Sequence, residues 1–510
     1  MNLKVIGKIL GKIMILEGLL MIAPLIVSIV YKEYEKSILY PLAFAIPIIL
    51  LLVFGFILQS LKPDRKGLYQ KEGFAVCALV WIIMTIFGAI PFVINQDIPS
   101  YINALFETMS GFTTTGASVI DDLTVLCHST LFWRSFTHWI GGMGILVFIL
   151  IFIPESNDGS SLHLLKAESP GPKVGKLASK MKMTARILYL IYFGLTVLEI
   201  VFLLFSPDGI GPDGTVYKMD LFNTLLTAFG SAGTGGFGFI PMSMEYFSAY
   251  TQYVVATFLI IFGINFSLYY LILIGKIKEV FKSEELKVYF AIITSAIVII
   301  IISVLVDRLD SIKNLTPAVF EETFRHSYFQ VASIITSTGY STTNYDLWPA
   351  LAKSVIVILM LCGAMAGSTG GGIKVSRIVI AVKGVIIQIR KLINPRYVVK
   401  SKVEGKVLEE NTINDVFSFI TLYFIIAFVV VILLSCDPGV TKMADSFTTN
   451  FTAAISCLSN IGPGLGAVGP YGSFSFYSDF STALLTITML IGRLEILPVL
   501  ILFSPQTWKK

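Results

Sequence analysis

The sequence predicts an all-α polytopic membrane protein: four repeats of span, re-entrant half-helix and span around a pseudo-fourfold pore, plus two extra N-terminal spans. Three observations point there. Of 510 residues, 55% are hydrophobic and only 14% charged, whereas a typical soluble domain carries about 25% charged residues. Apolar runs repeatedly reach the roughly 20 residues that cross ~30 Å of hydrocarbon. Four short stretches are too polar and glycine-rich to continue a membrane helix: TTTGAS (113–118), GTGGFG (233–238), STGYST (337–342) and NIGPGLG (460–466).

The elements follow in order. The N-terminus, MNLKVIGKILGK, is basic and precedes an apolar run from Ile13 to Tyr31. No small-residue cleavage site follows, so it reads as a retained span rather than a signal peptide. Ten spans are expected: 11–31, 39–61, 74–95, 129–153, 184–206, 251–275, 286–306, 351–389 (interrupted), 412–435 and 479–503. Lysine and arginine sort the connections. They gather at 62–71, 166–186, 276–287, 390–406 and at Lys509 and Lys510, while the alternate loops carry Asp121, Asp122, Asp208, Asp310, Glu321 and Asp437. Positive-inside sorting then puts the basic loops and both termini in the cytoplasm, in a multi-pass plasma-membrane (inner-membrane) protein. The net charge of +5 implies no nucleic-acid partner, and five scattered cysteines show no CxxC or metal-ligand spacing.

A short, moderately apolar segment precedes each glycine stretch: 101–112, 218–230, 319–333 and 443–459. Each is too short to cross the bilayer and suits a half-helix. The chain divides into an N-terminal hairpin (1–62) and pore repeats at 63–155, 156–278, 279–400, with its interrupted inner helix, and 401–510. Recurrence of one unit at a fixed period is an architectural signature. Non-helical backbone at membrane depth is tolerated only where protein buries it or a water-filled path runs beside it. Four such loops on one axis could turn their carbonyl oxygens inward and replace an ion's hydration shell. Half-helices entering from outside aim their negative dipole ends at that axis, which favours a cation.

These residues resemble the TrkH/TrkG/KtrB superfamily of potassium transporters. The matching stretches are RSFTHWIGGMGI (134–145), TTTGAS, STGYST, AGSTGGGIK (366–374), NIGPGLG and MLIGRLEI (489–496). The first two spans resemble the extra pair of the TrkH branch. The resemblance implies potassium bound in a filter by Thr114, Thr115 and Gly116; Gly233, Thr234 and Gly235; Ser337, Thr338 and Gly339; and Asn460, Ile461 and Gly462. Relatives with serine for the first glycine tend to favour sodium, so glycine at all four positions implies potassium. The second set departs in having Gly233 where serine is more usual. The resemblance also implies a homodimer with one pore per subunit, and a cytosolic TrkA-like regulatory subunit that binds nucleotides. It implies no cofactor in the chain itself.

The eighth span breaks at GAMAGSTGGGIK (363–374). Three consecutive glycines weaken a helix by ~1 kcal/mol each. A phosphate cradle is the wrong reading, because Ile373 separates Gly372 from Lys374 and no strand precedes. In the family this segment is a gating loop, which assigns Gly367, Ser368, Thr369, Gly370, Gly371, Gly372 and Lys374 to a gate. Arg493 lies inside the last apolar run, where a charge is costly and faces a partner or water. Glu495, two residues on, does not share its helix face. Arg493 is therefore expected under the filter, near the carbonyls of 366–372, as the gate's fixed charge. Glu107 reads equally as a ligand of amides behind the filter or as a vestibule charge. His138 is expected to be packed and hydrogen-bonded rather than a proton relay, and GGMG (141–144) to be a close packing surface.

Two function classes compete with a gated potassium pathway. A strictly coupled proton- or sodium-linked potassium symporter remains open, although such transporters often use two inverted halves. For a membrane-embedded enzyme, the spans carry no Ser/His/Asp, HExxH or paired-carboxylate constellation.

Overall fold

The computed structural model describes residues 1–62, 70–144, 181–309, 316–394, 402–443 and 445–505. Most of the basic stretch expected at 166–186 lies outside the described residues.

The N-terminal hairpin is α1 (Leu3–Leu20), continued as α2 (Ile22–Val30), packed on α3 (Leu39–Gln59). The first span therefore starts at Leu3, not residue 11. Glycine sets the approach: a Cβ on Gly11 would stand 2.7 Å from the Gly55 carbonyl oxygen, and one on Gly55 would stand 2.6 Å from Ile15 Cγ1. Two carboxylates tie the hairpin to the rest. Glu33 accepts from the Ser129 amide (3.1 Å) and hydroxyl (2.6 Å), and Glu72 accepts from the Asn2 amide (2.8 Å).

Four units follow. The first is α4 (Gln70–Gly88), α5 (Ile90–Ile94), α6 (Tyr101–Phe112) and α7 (His128–Gly142). The second is α8 (Met181–Leu204), α9 (Leu221–Gly233), α10 (Ala249–Phe262), α11 (Phe266–Leu273) and α12 (Ile277–Lys282), with a small hairpin β1 (Gly209–Ile210) and β2 (Val216–Tyr217). The third is α13 (Glu284–Leu309), α14 (Pro317–Ile335), α15 (Ala350–Cys362) and α16 (Val375–Ile393). A hairpin, β3 (Lys402–Val403) with β4 (Lys406–Val407), leads to the fourth: α17 (Glu410–Leu434), α18 (Ser446–Ser459), α19 (Asp479–Arg493) and α20 (Leu497–Phe503).

Within each unit the first helix is long, apolar and unbroken in its membrane stretch. It turns residues such as Val298, Ile302, Phe428 and Ile432 outward. In the second, third and fourth units the helix after the loop is the irregular one. The spans expected whole at 251–275 and 479–503 are both broken. The first bends by 89° between α10 and α11, where the Asn265 side chain caps α11 by accepting from the Ser267 amide. The second kinks at Glu495 and Ile496, both with positive φ. Apolar composition reports total length and is blind to such breaks.

The four half-helices are α6, α9, α14 and α18, and their C-terminal halves are buried. Side chains start two of them: Asp220 accepts from the Asn223 amide (2.8 Å), and Thr316 accepts from the Val319 amide ahead of Pro317.

Replacing Gly55 with valine should overpack the α1–α3 crossing by about 1–3 kcal/mol. Gly194 has nothing within 4 Å of an added Cβ, so Gly194→Ala should leave the thermal unfolding midpoint in detergent where it is, while Gly55→Val lowers it.

Candidate functional site

A helix that stops leaves its last carbonyls without intrahelical donors. All four half-helices solve this identically. A residue in the left-handed region follows the helix: Thr114 (φ +55°), Thr234 (+54°), Ser337 (+56°) and Asn460 (+55°). The next amide then reaches back five residues. Thr115 N donates to Ser110 O, Gly235 N to Gly230 O and Thr338 N to Ser333 O, each at 2.8 Å, and Ile461 N donates to Ser456 O at 2.9 Å. This is the six-to-one bond of a Schellman ending.

The residue after that is a glycine with positive φ in every loop: Gly116 (+78°), Gly236 (+71°), Gly339 (+92°) and Gly462 (+100°). Each lies against a carbonyl of the following loop. A Cβ would stand 1.9 Å from Gly235 O at Gly116, 2.0 Å from Thr338 O at Gly236, 2.3 Å from Ile461 O at Gly339 and 2.6 Å from Thr115 O at Gly462. The order runs first to second, second to third, third to fourth and fourth back to first. Only loops meeting around one axis can close such a ring, and only glycine offers both the backbone angle and the space.

This geometry moves one expected residue. The second set was placed at Gly233, Thr234 and Gly235, but the counterparts of Thr114, Thr115 and Gly116 are Thr234, Gly235 and Gly236. Gly233 is the last helical residue of α9, and an added Cβ on Gly235 would strike the His138 ring at 2.3 Å. The other three sets keep their register.

Two of the four left-handed side chains reach Arg493 or the 363–374 segment. Ser337 Oγ accepts from the Gly371 amide at 2.5 Å. Thr114 Oγ1 accepts from Arg493 Nη1 at 3.0 Å, and the same nitrogen donates to Thr369 O at 3.0 Å. Arg493 Nη2 donates to the carbonyls of Gly141 and Gly142. The structure thus brings Arg493 to a 366–372 carbonyl. Gly370 and Gly371 lie against the ends of α14 and α18: Cβ atoms on them would meet Thr336 O (2.8 Å) and Ser459 O (2.2 Å). Gly372 folds back on Gly363, and the Lys374 ammonium donates to Gly370 O. Gly367 and Ser368 sit at the rim instead. Gly367 O accepts from the Phe266 amide (3.0 Å), and the Ser368 hydroxyl donates to Met365 O (2.7 Å). Glu495 does not pair with Arg493; it receives Arg377, whose guanidinium lies 4.1 Å from the Phe419 ring centre.

A buried pair braces the first loop against the second. Glu107 accepts from Arg134 Nε (2.8 Å), from the Ser118 hydroxyl (3.1 Å) and from the Val119 amide (3.0 Å). Arg134 also donates to Gly238 O at 3.0 Å and lies over the Phe237 ring. Both side chains are at most 2% exposed. Glu107 is therefore an amide ligand behind the loop and not a vestibule charge. Arg134 was missed, though a lone arginine in an apolar stretch ahead of a glycine pair was its signal. Breaking a buried pair from one side typically costs about 3–5 kcal/mol. His138 is packed as expected, stacked on Phe237 at 4.3 Å. Its ring nitrogens have no hydrogen-bond partner among the described residues, so the expected hydrogen bond is absent there. Gly141 and Gly142 are a close packing surface, against Phe112 O and Gly233 Cα.

Comparison with known proteins follows the same line. A family described as a cation transport protein, TrkH, matches residues 42–510. The Trk system potassium uptake protein TrkH of Escherichia coli is 31% identical over 515 aligned positions, covering all of both chains. The Trk system potassium uptake protein TrkG of the same organism is 30% identical, covering all of this chain and 99% of its own. The crystal structure of the potassium transporter TrkH from Vibrio parahaemolyticus superposes with a TM-score of 0.84 at 28% identity over the full length of both.

The register of the second loop is open to test. Gly235→Ala and Gly236→Ala should both lower the unfolding midpoint, each by the equivalent of about 1–3 kcal/mol. Adding His138→Ala should restore most of the first loss, because a side chain is the obstacle, and none of the second, because the obstacle is the Thr338 carbonyl.

Proposed function

The chain belongs to the TrkH family of cation transport proteins, and we propose that it takes up potassium across the plasma membrane through the glycine ring, under control of the 363–374 loop. The observation that carries this reading is the closed order of four glycines against four carbonyls. Carbonyls of the left-handed residues and of Thr115, Gly235, Thr338 and Ile461 are the groups available to replace water around a dehydrated cation. Four half-helices add their negative ends on the same axis. The ion-binding set is Thr114, Thr115, Gly116; Thr234, Gly235, Gly236; Ser337, Thr338, Gly339; and Asn460, Ile461, Gly462.

Beneath the ring, Thr369 to Gly371 obstruct the axis, and Arg493 adds a positive charge that opposes a cation below the filter. Opening requires the loop to leave Ser337 and Arg493 together. The lysine- and arginine-rich face is the cytoplasmic one in this reading, and uptake runs toward it. The family resemblance adds a homodimer and a nucleotide-binding TrkA-like partner on that face.

Purified protein in liposomes should pass rubidium-86 without ATP. If uptake collapses whenever a proton or sodium gradient is dissipated, the chain is a coupled symporter instead. Arg493→Ala should raise the flux about tenfold, the effect of removing ~1.4 kcal/mol from a barrier; unchanged flux would remove Arg493 from the gate. Gly116→Ser must displace the Gly235 carbonyl, and should cut discrimination against sodium by an order of magnitude or more. The measurement is the ratio of rubidium-86 to sodium-22 flux.

A further inference from the structure

The loop under the ring has a second set of fastenings, on its far side. Met365 N donates to Gly263 O (3.2 Å), and Ala366 N donates to a carboxylate oxygen of Glu285 at 2.7 Å. Glu285 is the second residue of α13 and is 2% exposed. Besides the Ala366 amide, this carboxylate acts electrostatically on the Lys374 ammonium at the end of the same loop. Its effect is to satisfy an amide of the loop and so hold the loop to the start of α13.

The start of α13 is itself held from outside the membrane stretch. Glu404 accepts from the Ser283 hydroxyl (2.8 Å) and from the Glu285 amide (3.0 Å). A carboxylate there satisfies first-turn donors and complements the helix dipole. Glu404 is the first residue of the two-residue turn between β3 and β4. It has φ +51°, and Gly405 follows at φ +76°, the pairing of a tight hairpin turn that fixes where the Glu404 side chain points. The hairpin also grips the helix on the other side of the loop: the Lys383 ammonium, on α16, donates to Lys402 O (2.6 Å) and pairs with Glu284 (2.6 Å).

Glu404 and Glu285 therefore act in series across one peptide: the Glu285 amide is held by the hairpin, and its carboxylate holds the loop. We propose that Glu285 and Glu404 are positioning residues of a latch, through which the 402–407 hairpin on the basic face keeps the 363–374 loop under the ring. Displacing the hairpin frees the α13 start, loosens the Glu285 carboxylate from Ala366 and releases the loop. The latch rests on reading 363–374 as the gate, but the position of the loop can be followed without ions.

The test uses the full chain in liposomes, with Cys362 and Cys436 changed to serine and Ser368→Cys as reporter. Ser368 is half-buried at the loop rim, so its labelling by a water-soluble methanethiosulfonate reports loop release. Glu404→Ala and Glu285→Ala should each speed labelling about tenfold, within the range of ordinary intersite coupling. The double variant should be no faster than either alone. Glu404→Gln and Glu285→Gln keep an accepting oxygen and should label close to the parent rate. Rubidium-86 flux should follow the same ranking. Parent-rate labelling in Glu404→Ala, multiplied effects in the double variant, or Gln variants as fast as the alanines would each overturn the latch. Labelling that ranks as expected while flux does not would keep the latch and sink the gate. Because Glu404 lies in an accessible turn, its alanine variant tests the proposal even if Glu285→Ala fails to fold.

Discussion

The structure depends on how a helix can end inside a membrane. In hydrocarbon an unpaired carbonyl costs several kcal/mol, so spanning segments close their hydrogen bonds within themselves. A half-helix cannot. Here the C-terminal ends of α6, α9, α14 and α18 each satisfy part of the deficit with a left-handed residue and a six-to-one bond. The turn throws the next glycine against the neighbouring loop. The four loops thereby close into one ring of glycines and carbonyls, and a concentration of carbonyl oxygens is favourable only beside a cation or water. In the proposed reading, the termination problem and the ion site are one constraint met four times.

The fourfold order belongs to the backbone, and the side chains depart from it. Three units have serine at the acceptor of the six-to-one bond. Ser333 and Ser456 donate onward to the carbonyls of Tyr340 and Gly462, each at 2.7 Å. The second unit has Gly230, and the Tyr340 hydroxyl fills the space that a side chain would need. The left-handed positions diverge further. Asn460 spans to Thr115 and to Met489 O, whereas Thr234 closes on its own neighbour, Gly233 O. Left-handed threonine and serine are strained by roughly 1–3 kcal/mol. That strain persists because three of the four side chains hold something beyond their own turn: the loop, Arg493 or another unit.

Much of this was legible in the chain. The half-helix at 101–112 matches α6 residue for residue, because apolar spacing, a preceding serine and a following polar triplet delimit it without ambiguity. Arg493 was legible as a charge with no business in lipid. The register of the second loop was not, since GTGGFG offers glycines at 233, 235, 236 and 238 and only a neighbour's backbone distinguishes them. The break near Gly263 had a signal, glycine followed two residues later by a capping asparagine. The kink at Glu495 and Ile496 had none: neither residue favours positive φ, and tertiary contacts impose it. Arg377 supplies one of them, holding Glu495.

In the proposed gate, that last kink lets the arginine serve a moving part. A guanidinium in a continuous apolar helix would be fixed by its helix and by the cost of reaching water. Arg493 is the final residue of α19, half-buried, with the chain turning away immediately after it. Its acceptors come from three different elements: the end of α7, the first loop and the segment under the ring. Losing Thr369 O still leaves Thr114 and the Gly141–Gly142 carbonyls to stabilise the charge. If the loop is released as proposed, no buried cation is stranded, which is the step that would otherwise make opening prohibitive. In that proposal the arginine stays in place while the loop leaves.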